Sequence, residues 1–501
     1  MLEAVVRELV ITALFIALGA PLVHYLWFLL RRALRRDLPP GPRGLPLLGY
    51  LPFMTKDVHQ KINTLRRKYG DVFGLHLGFR YVVFLCDFEP IKEALSKDAL
   101  LDRAEEFPLN VHEKSQSIII ANGPRWKEQR MFMSKALRTL TPTLEMHAHK
   151  ELSNLVHELA SSKGEPVAIA SLLTPSTSNV MTALVYGRRF EYGSPERVEL
   201  DELAHVIPAL SAQVLAINFF PWLRRVISLL SVGACGRLRS AMIRRDHLSE
   251  SFIDVHEKTY QDGMCRDYVD SFLGEMKRHG QQKKTLTRDV LTSNASSFFG
   301  AGSETLRSTT EWLLMMCAAK PEMQARMRTE IDSVIGDRSP GSHVLWEDRT
   351  RTPYTQAFIW EMARCEPINP VGFMRRARGD VRVSGYVIPR DSIVIPSLRS
   401  VFEDKSFWKD PEVFRPERFL IDGGVRAAKP ERLIAFSYGK RSCPGEGVAN
   451  VVTFLFLTTI LQHFTVEVPP GGPPLAFDEV LGLSLRPRSQ KLVFRAREVL
   501  I

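Results

Sequence analysis

Cysteine is scarce: six in 501 residues, at positions 86, 235, 265, 317, 365 and 443. They lie too far apart in sequence to form a disulfide framework or a zinc-type pair, which suits a chain folded in a reducing compartment. The sequence also lacks internal repeats, low-complexity tracts and any nucleic-acid-binding module. Its net charge of +11 therefore points to an anionic membrane or an acidic protein partner, and not to nucleic acid. No flavin- or nicotinamide-binding stretch is present, so any redox chemistry draws its electrons from a separate protein. The one sequon, Asn294-Ala295-Ser296, falls within an expected buried helix and is discounted.

With 45% apolar residues the chain can bury a large core. Leu9–Leu30 is a 22-residue run free of Asp, Glu, Lys and Arg. As a helix it would span about 33 Å, slightly more than the hydrocarbon core of a bilayer. Arg31, Arg32, Arg35 and Arg36 follow it, against Glu3, Arg7 and Glu8 before it, so the positive-inside rule leaves the body of the protein on the cytosolic side. The basic residues stand on the wrong side for a cleaved signal peptide. Residues 1–30 are thus expected to be an uncleaved anchor in membrane lipid, 31–46 a basic and proline-rich linker, and 47–501 the folded body.

Apolar spacing predicts a helix over Val58–Tyr69 and strands at Val72–Leu77 and Tyr81–Leu85, joined as a hairpin around Gly78. Val290–Ala318 reads as a long apolar helix interrupted by Ala301-Gly302-Ser303-Glu304-Thr305. A helical glycine costs about 1 kcal/mol relative to alanine and so asks for a reason. A threonine bonded back to a helix carbonyl is the plain structural reading of Thr305. Two further strands are expected between Val381 and Ile395, about a turn at Gly385.

The most informative stretch is Phe436-Ser437-Tyr438-Gly439-Lys440-Arg441-Ser442-Cys443-Pro444-Gly445-Glu446-Gly447. The apolar run Val448–Leu461 predicts a helix with Pro444 in its first turn. Cys443 then lies just before a helix N-terminus, where the dipole and unpaired amides favour a thiolate. Gly439 and Gly445 would let a flat ligand lie close to the backbone, and Arg441 suits a carboxylate on it. The alternative is a buried structural cysteine beside a turn.

This stretch resembles the heme-binding loop of the cytochrome P450 family, Phe-x-x-Gly-x-Arg-x-Cys-x-Gly, at every fixed position. The resemblance runs from about Pro39 to the C-terminus, is strongest to animal microsomal members that handle drugs and steroids, and implies one mainly α-helical unit with a smaller β-rich region. It implies heme b with Cys443 as axial ligand of the iron, and heme contacts from Phe436, Gly439, Arg441 and Gly445. Trp126 and Arg130, four apart on one helix face, correspond to a pair that binds a heme propionate; Arg103 and Arg375 fall where relatives place further propionate contacts. Ala301 and Gly302 would leave room for dioxygen, while Thr305, assisted by Glu304, would deliver protons. Glu361, Arg364 and Arg418 would form a buried network.

For the substrate pocket the resemblance implies Val111, Ile118, Phe298, Ala301, Val371 and Leu483; Asn218–Trp222 reads either as an apolar access roof, as in related enzymes, or as plain core. Leu306, Met374 and Asn450 depart from residues common in relatives. The implied activity is monooxygenation of a small lipophilic substrate (steroid, fatty acid or xenobiotic) at the endoplasmic reticulum membrane. Its electrons would come from an NADPH-dependent P450 reductase, with cytochrome b5 as a second candidate partner. Arg125, Lys127, Lys135, Arg138 and Lys440 would form the docking face. A heme-thiolate isomerase or dehydratase acting on a peroxide, and a heme sensor without turnover, are the alternatives; the presence of Thr305 weighs against both.

Overall fold

The computed structural model describes residues 37–55, 57–104, 109, 116–279, 285–336, 338, 341–482 and 484–497, together with the helical positions 8, 19, 23 and 26. The expected anchor Leu9–Leu30 thus lies almost wholly outside the described residues. Among those described, no helix is long and apolar enough to cross a membrane.

The helices that matter for the site are α1 (Val58–Tyr69), α2 (Gly123–Ser161), α3 (Ile169–Tyr186), α4 (Pro195–Gln213), α5 (Arg288–Ala319), α6 (Pro353–Cys365) and α7 (Glu446–His463). The strands that matter for it are β1 (Val72–Leu77), β2 (Arg80–Leu85), β3 (Arg375–Arg376), β4 (Ile393–Pro396), β5 (Phe464–Glu467), β6 (Glu479–Leu481), β7 (Leu485–Pro487) and β8 (Lys491–Ala496). Helices dominate, and the strands form small separate sheets, as the sequence led one to expect.

β1 and β2 form the expected hairpin, with Leu77 opposite Arg80. The sheet extends in the order β1–β2–β4–β3, with β4 parallel to β2. β1, β2 and β4 are largely apolar because both faces are covered, whereas β3 at the edge is the arginine pair Arg375-Arg376. Val381–Val383 and Tyr386–Ile388 make the second expected hairpin about Gly385. The proline-rich segment docks on the first sheet: the Gly74 amide donates to the Pro40 carbonyl at 2.8 Å.

α5 is capped by Thr287, whose side chain accepts from the Val290 amide, and it packs along α3 and α7. Most of its residues are buried, but Ala301 is exposed and Thr305 only partly covered. A helix through the interior that exposes one side chain so deep in the fold borders an internal space. That space lies where two apolar clusters meet: one built on α2, α3, α5 and α7, the other on the β1–β2–β4–β3 sheet and α4, with Ile119 packed against both.

Two expectations change and one open reading narrows. α7 starts at Glu446 with Gly445 at its N-cap, so Pro444 precedes the helix and is not in its first turn. Phe219, read either as access roof or as core, is buried; its carbonyl accepts from the Phe79 amide at 3.1 Å. Gly302, expected to clear space for dioxygen, serves packing instead: a Cβ there would stand 2.4 Å from the Met181 methyl of α3. Without that side chain, α3 and α5 approach closely.

Candidate active site

The loop before α7 folds back on itself. The Cys443 amide donates to the Phe436 carbonyl at 2.9 Å, and the Arg130 Nη1 donates to the Ser442 carbonyl at 2.7 Å. Gly439 has φ +74°, and a Cβ there would lie 2.3 Å from the Leu95 carbonyl oxygen. Its expected role of admitting a flat ligand is therefore corrected: this glycine satisfies a left-handed turn pressed against neighbouring backbone. Gly439→Ala is expected to destabilise the fold by at least about 1–3 kcal/mol, read as a lower midpoint in thermal unfolding. A Cβ at Gly445 would meet only the Cys443 Sγ, at 3.9 Å, so this position borders the sulfur.

Cys443 is enclosed by protein on nearly all sides, yet its surface is accessible, as at the floor of an internal cavity. Burial pushes its thiol up, opposed by the Gly445 amide and by Arg130. A thiolate at this position is the state that a bound cation stabilises.

Beside the sulfur the fold collects cations. Arg103 donates from Nε to the Ile119 carbonyl at 3.2 Å and from Nη1 to those of Phe373 and Met374 at 3.2 and 3.1 Å. Arg441 donates from Nη1 to the Ile119 carbonyl at 3.3 Å and from Nη2 to the Ala121 carbonyl, and its guanidinium stacks 4.5 Å above the buried Trp126 ring. Arg375 is buried, with its Nη2 3.5 Å from the Arg441 carbonyl.

Burial, then the neighbouring Arg130, lowers Arg375 to about 10; burial, then Arg375, lowers Arg441 to about 9. Nε and Nη1 of Arg375 and Nε of Arg441 have no hydrogen-bond partner among the described residues. Buried donors on like-charged neighbours are costly unless an anion meets them. A flat group bearing two carboxylates and an iron for the Cys443 sulfur fits this arrangement of donors.

Asn122 and the segment before it are the residues that sequence reasoning missed. The Asn122 Oδ1 accepts from the Arg103 amide at 2.8 Å and from Arg441 Nη2 at 3.2 Å. Asn294 Oδ1 accepts from the Ile118 amide at 2.7 Å, tying the same segment to α5. The only sequence signal is Asn122 standing before Gly123-Pro124 at a helix start.

On α5 the Thr305 Oγ1 donates to the Ala301 carbonyl at 2.9 Å. Glu304 is buried and engaged by Arg307, Nη2 to Oε1 at 3.0 Å and Nε to Oε2 at 3.3 Å. Its carboxylate is thus held by a cation three residues along the helix. Ile118 and Phe298 belong to the cluster around α5, Phe298 edge-on to Tyr268 at 5.5 Å, whereas Val371 packs on the sheet cluster across the seam. Val111 and Leu483 lie outside the described residues. Met374 and Leu306 are buried and Asn450 half-buried.

Glu361, Arg364 and Arg418 come together as expected. Glu361 Oε1 accepts from Arg364 Nη2 and Arg418 Nε, both at 2.9 Å, and from the Arg415 amide at 2.8 Å; its Oε2 accepts from Arg364 Nε at 2.8 Å.

A family model described as Cytochrome P450 matches residues 39–494. The chain belongs to the cytochrome P450 family. It is 34% identical to cytochrome P450 2B2 of Rattus norvegicus over 487 residues, covering 92% of this chain and 95% of the relative. It is 33% identical to cytochrome P450 2D6 of Homo sapiens over 507 residues, covering 98% and 99%. Identity to cytochrome P450 2J2 of Homo sapiens is 30% over 474 residues, covering 92% of each. This cytochrome P450 is accordingly a monooxygenase that uses heme held through a thiolate, dioxygen, and electrons from a reductase.

Proposed function

We propose that Cys443 is the axial ligand of the heme and that this cytochrome P450 oxidises a small lipophilic substrate, with electrons from an NADPH-dependent reductase. The observation that carries the reading is the accessible Cys443 sulfur at the floor of an enclosed space flanked by buried, partly unpartnered guanidinium groups. Heme, when bound, supplies dioxygen activation and electron transfer. Arg103, Arg130, Arg375 and Arg441 bind and orient its carboxylates, with Trp126 fixing Arg441 from below. The apolar walls around Ala301, Phe298, Ile118 and Val371 hold the substrate and exclude water.

Thr305 offers a hydroxyl one helical turn beyond the exposed Ala301, less buried than that of Ser303, and we assign it the hand-over of protons. Its bond to the Ala301 carbonyl leaves the hydroxyl oxygen able to accept a hydrogen bond from water and so to position it. Glu304 joins that path when its carboxylate is released from Arg307. Arg125, Lys127, Lys135, Arg138 and Lys440 are all exposed and form the docking face for the reductase and for cytochrome b5. Residues 1–30 anchor the protein in the endoplasmic reticulum membrane with its body in the cytosol, as the charge asymmetry around Leu9–Leu30 supports.

The function is tested by NADPH consumption and product formation with added reductase and a panel of lipophilic substrates. Thr305→Ala is expected to leave fold, heme content and substrate binding intact while product per NADPH falls by about 10²-fold and hydrogen peroxide rises to match, the lower end of the range for loss of a proton-transfer group. Coupling equal to the wild type would remove Thr305 from the mechanism.

A further inference from the structure

Asn122 holds the N-cap position of α2, yet its side chain does not cap the helix. An asparagine there ordinarily turns its Oδ1 to the amides of the first helical turn. Instead, the Oδ1 accepts from the Arg103 amide at 2.8 Å and the Nδ2 donates to the Arg103 carbonyl at 3.1 Å. The side chain thus engages both backbone groups of a residue 19 positions earlier. The same Oδ1 also accepts from Arg441 Nη2 at 3.2 Å. One neutral amide therefore ties the backbone of one buried arginine to the guanidinium of another.

The surroundings make that neutrality informative. Arg103, Arg375 and Arg441 are buried together, and the last two oppose the charge of the first. Asp102, the carboxylate next in sequence to Arg103, is taken by Arg378 at 2.8 and 2.6 Å. Among the described residues the Arg441 guanidinium is held by uncharged groups: the Ile119 and Ala121 carbonyls, the Trp126 ring and the Asn122 Oδ1. An aspartate has nearly the same shape as asparagine and would bind Arg441 more strongly. It would also cancel one positive charge of the cluster. The amide fixes the guanidinium and leaves that charge in force.

We propose that Asn122 is a positioning residue of the heme site, fixing Arg441 against the Arg103 backbone while adding no negative charge, so that the attraction for the heme carboxylates stays whole. The proposal rests on the reading that heme binds at Cys443 with its carboxylates among these arginines. It deepens that reading by assigning part of the binding strength to a residue that carries no charge itself. An anion at position 122 would compete with the heme carboxylates for Arg441 and repel them as well. The Nδ2 bond that aspartate lacks weakens the heme-free and heme-loaded forms alike, so it cancels when the two are compared.

The test uses the full-length protein with Asn122→Asp and Asn122→Ala. It follows heme transfer to excess apomyoglobin, the reduction potential of the heme, and thermal unfolding of the heme-free chain. Asn122→Asp is expected to release heme about tenfold faster than the wild type, on the order of one hydrogen bond to a charged group. Its reduction potential should fall, because an added negative charge favours the ferric state. Asn122→Ala should release heme more slowly than Asn122→Asp and leave the potential unchanged. Without heme, Asn122→Asp should unfold at a higher temperature than Asn122→Ala, since its carboxylate relieves the crowded guanidinium groups.

A residue that merely tethers the Arg103 segment gives another pattern: Asn122→Ala loses heme the faster, and neither variant moves the potential. That pattern overturns the proposal, as does Asn122→Asp retaining heme as long as the wild type, or losing it faster at an unchanged potential. If Asn122→Asp takes up no heme, the heme-free comparison decides, with unfolding below Asn122→Ala counting against the proposal and unfolding above it in favour. A wild type without the red-shifted carbon monoxide band of a heme thiolate would instead overturn the assignment of Cys443, so the two failures are distinguishable.

Discussion

Cys443→Ala is expected to abolish turnover and the red-shifted carbon monoxide band of the reduced protein. Alanine offers no lone pair, and the remaining groups around the site are guanidinium donors and carbonyls, none of them a soft ligand for iron. The other cysteines cannot substitute: Cys86 and Cys317 are buried elsewhere, with burial holding Cys86 up at about 12. Arg103, Arg375 and Arg441 remain in the variant, so some heme is retained by its carboxylates and the loss shows in the band position more than in heme content. A band at the wild-type position in the variant would mean that another residue ligates the iron.

Glu361→Ala is expected to destabilise the protein by about 3–5 kcal/mol, the range for removing one partner of a buried ion pair. Glu361 is fully buried and the Arg364 side chain is 1% exposed, so neither cation nor amide gains water when the carboxylate goes. Arg364 also donates to the Phe402 carbonyl at 3.0 Å and Arg418 to that of Val413 at 2.9 Å. The carboxylate therefore joins α6 to the segments that precede the Cys443 loop. Chemical denaturation of the heme-loaded protein measures the effect, with Glu361→Gln recovering part of it because the amide oxygen still accepts. A midpoint within about 0.5 kcal/mol of the wild type, the range of surface changes, would show that the network is not structural.

The Cys443 loop, the Trp126–Arg130 pair and the Glu361–Arg364–Arg418 cluster were legible in the sequence because each is a short pattern whose chemistry is carried by residue type. The same holds for β1 and β2, where a glycine turn separates two apolar runs. What escaped depends on partners far away in the chain. The use of Gly302 is decided by Met181, and the value of Asn122 by Arg103 and Arg441; no local pattern announces either. Phe219 stayed open between access roof and core because a run of apolar residues does not say which of them turn inward.

The crowding of Arg103, Arg375 and Arg441 also bears on how the protein is made. Their repulsion is built into the polypeptide before any cofactor arrives, so the heme-free chain is the less stable form and binding of the anionic cofactor shifts the folding equilibrium by mass action. A cell short of heme would carry a larger unfolded fraction of this chain, and its quality-control proteases would remove it. Steady-state abundance would then follow heme supply at an unchanged rate of synthesis, making the cofactor a determinant of how much enzyme exists as well as of what it does.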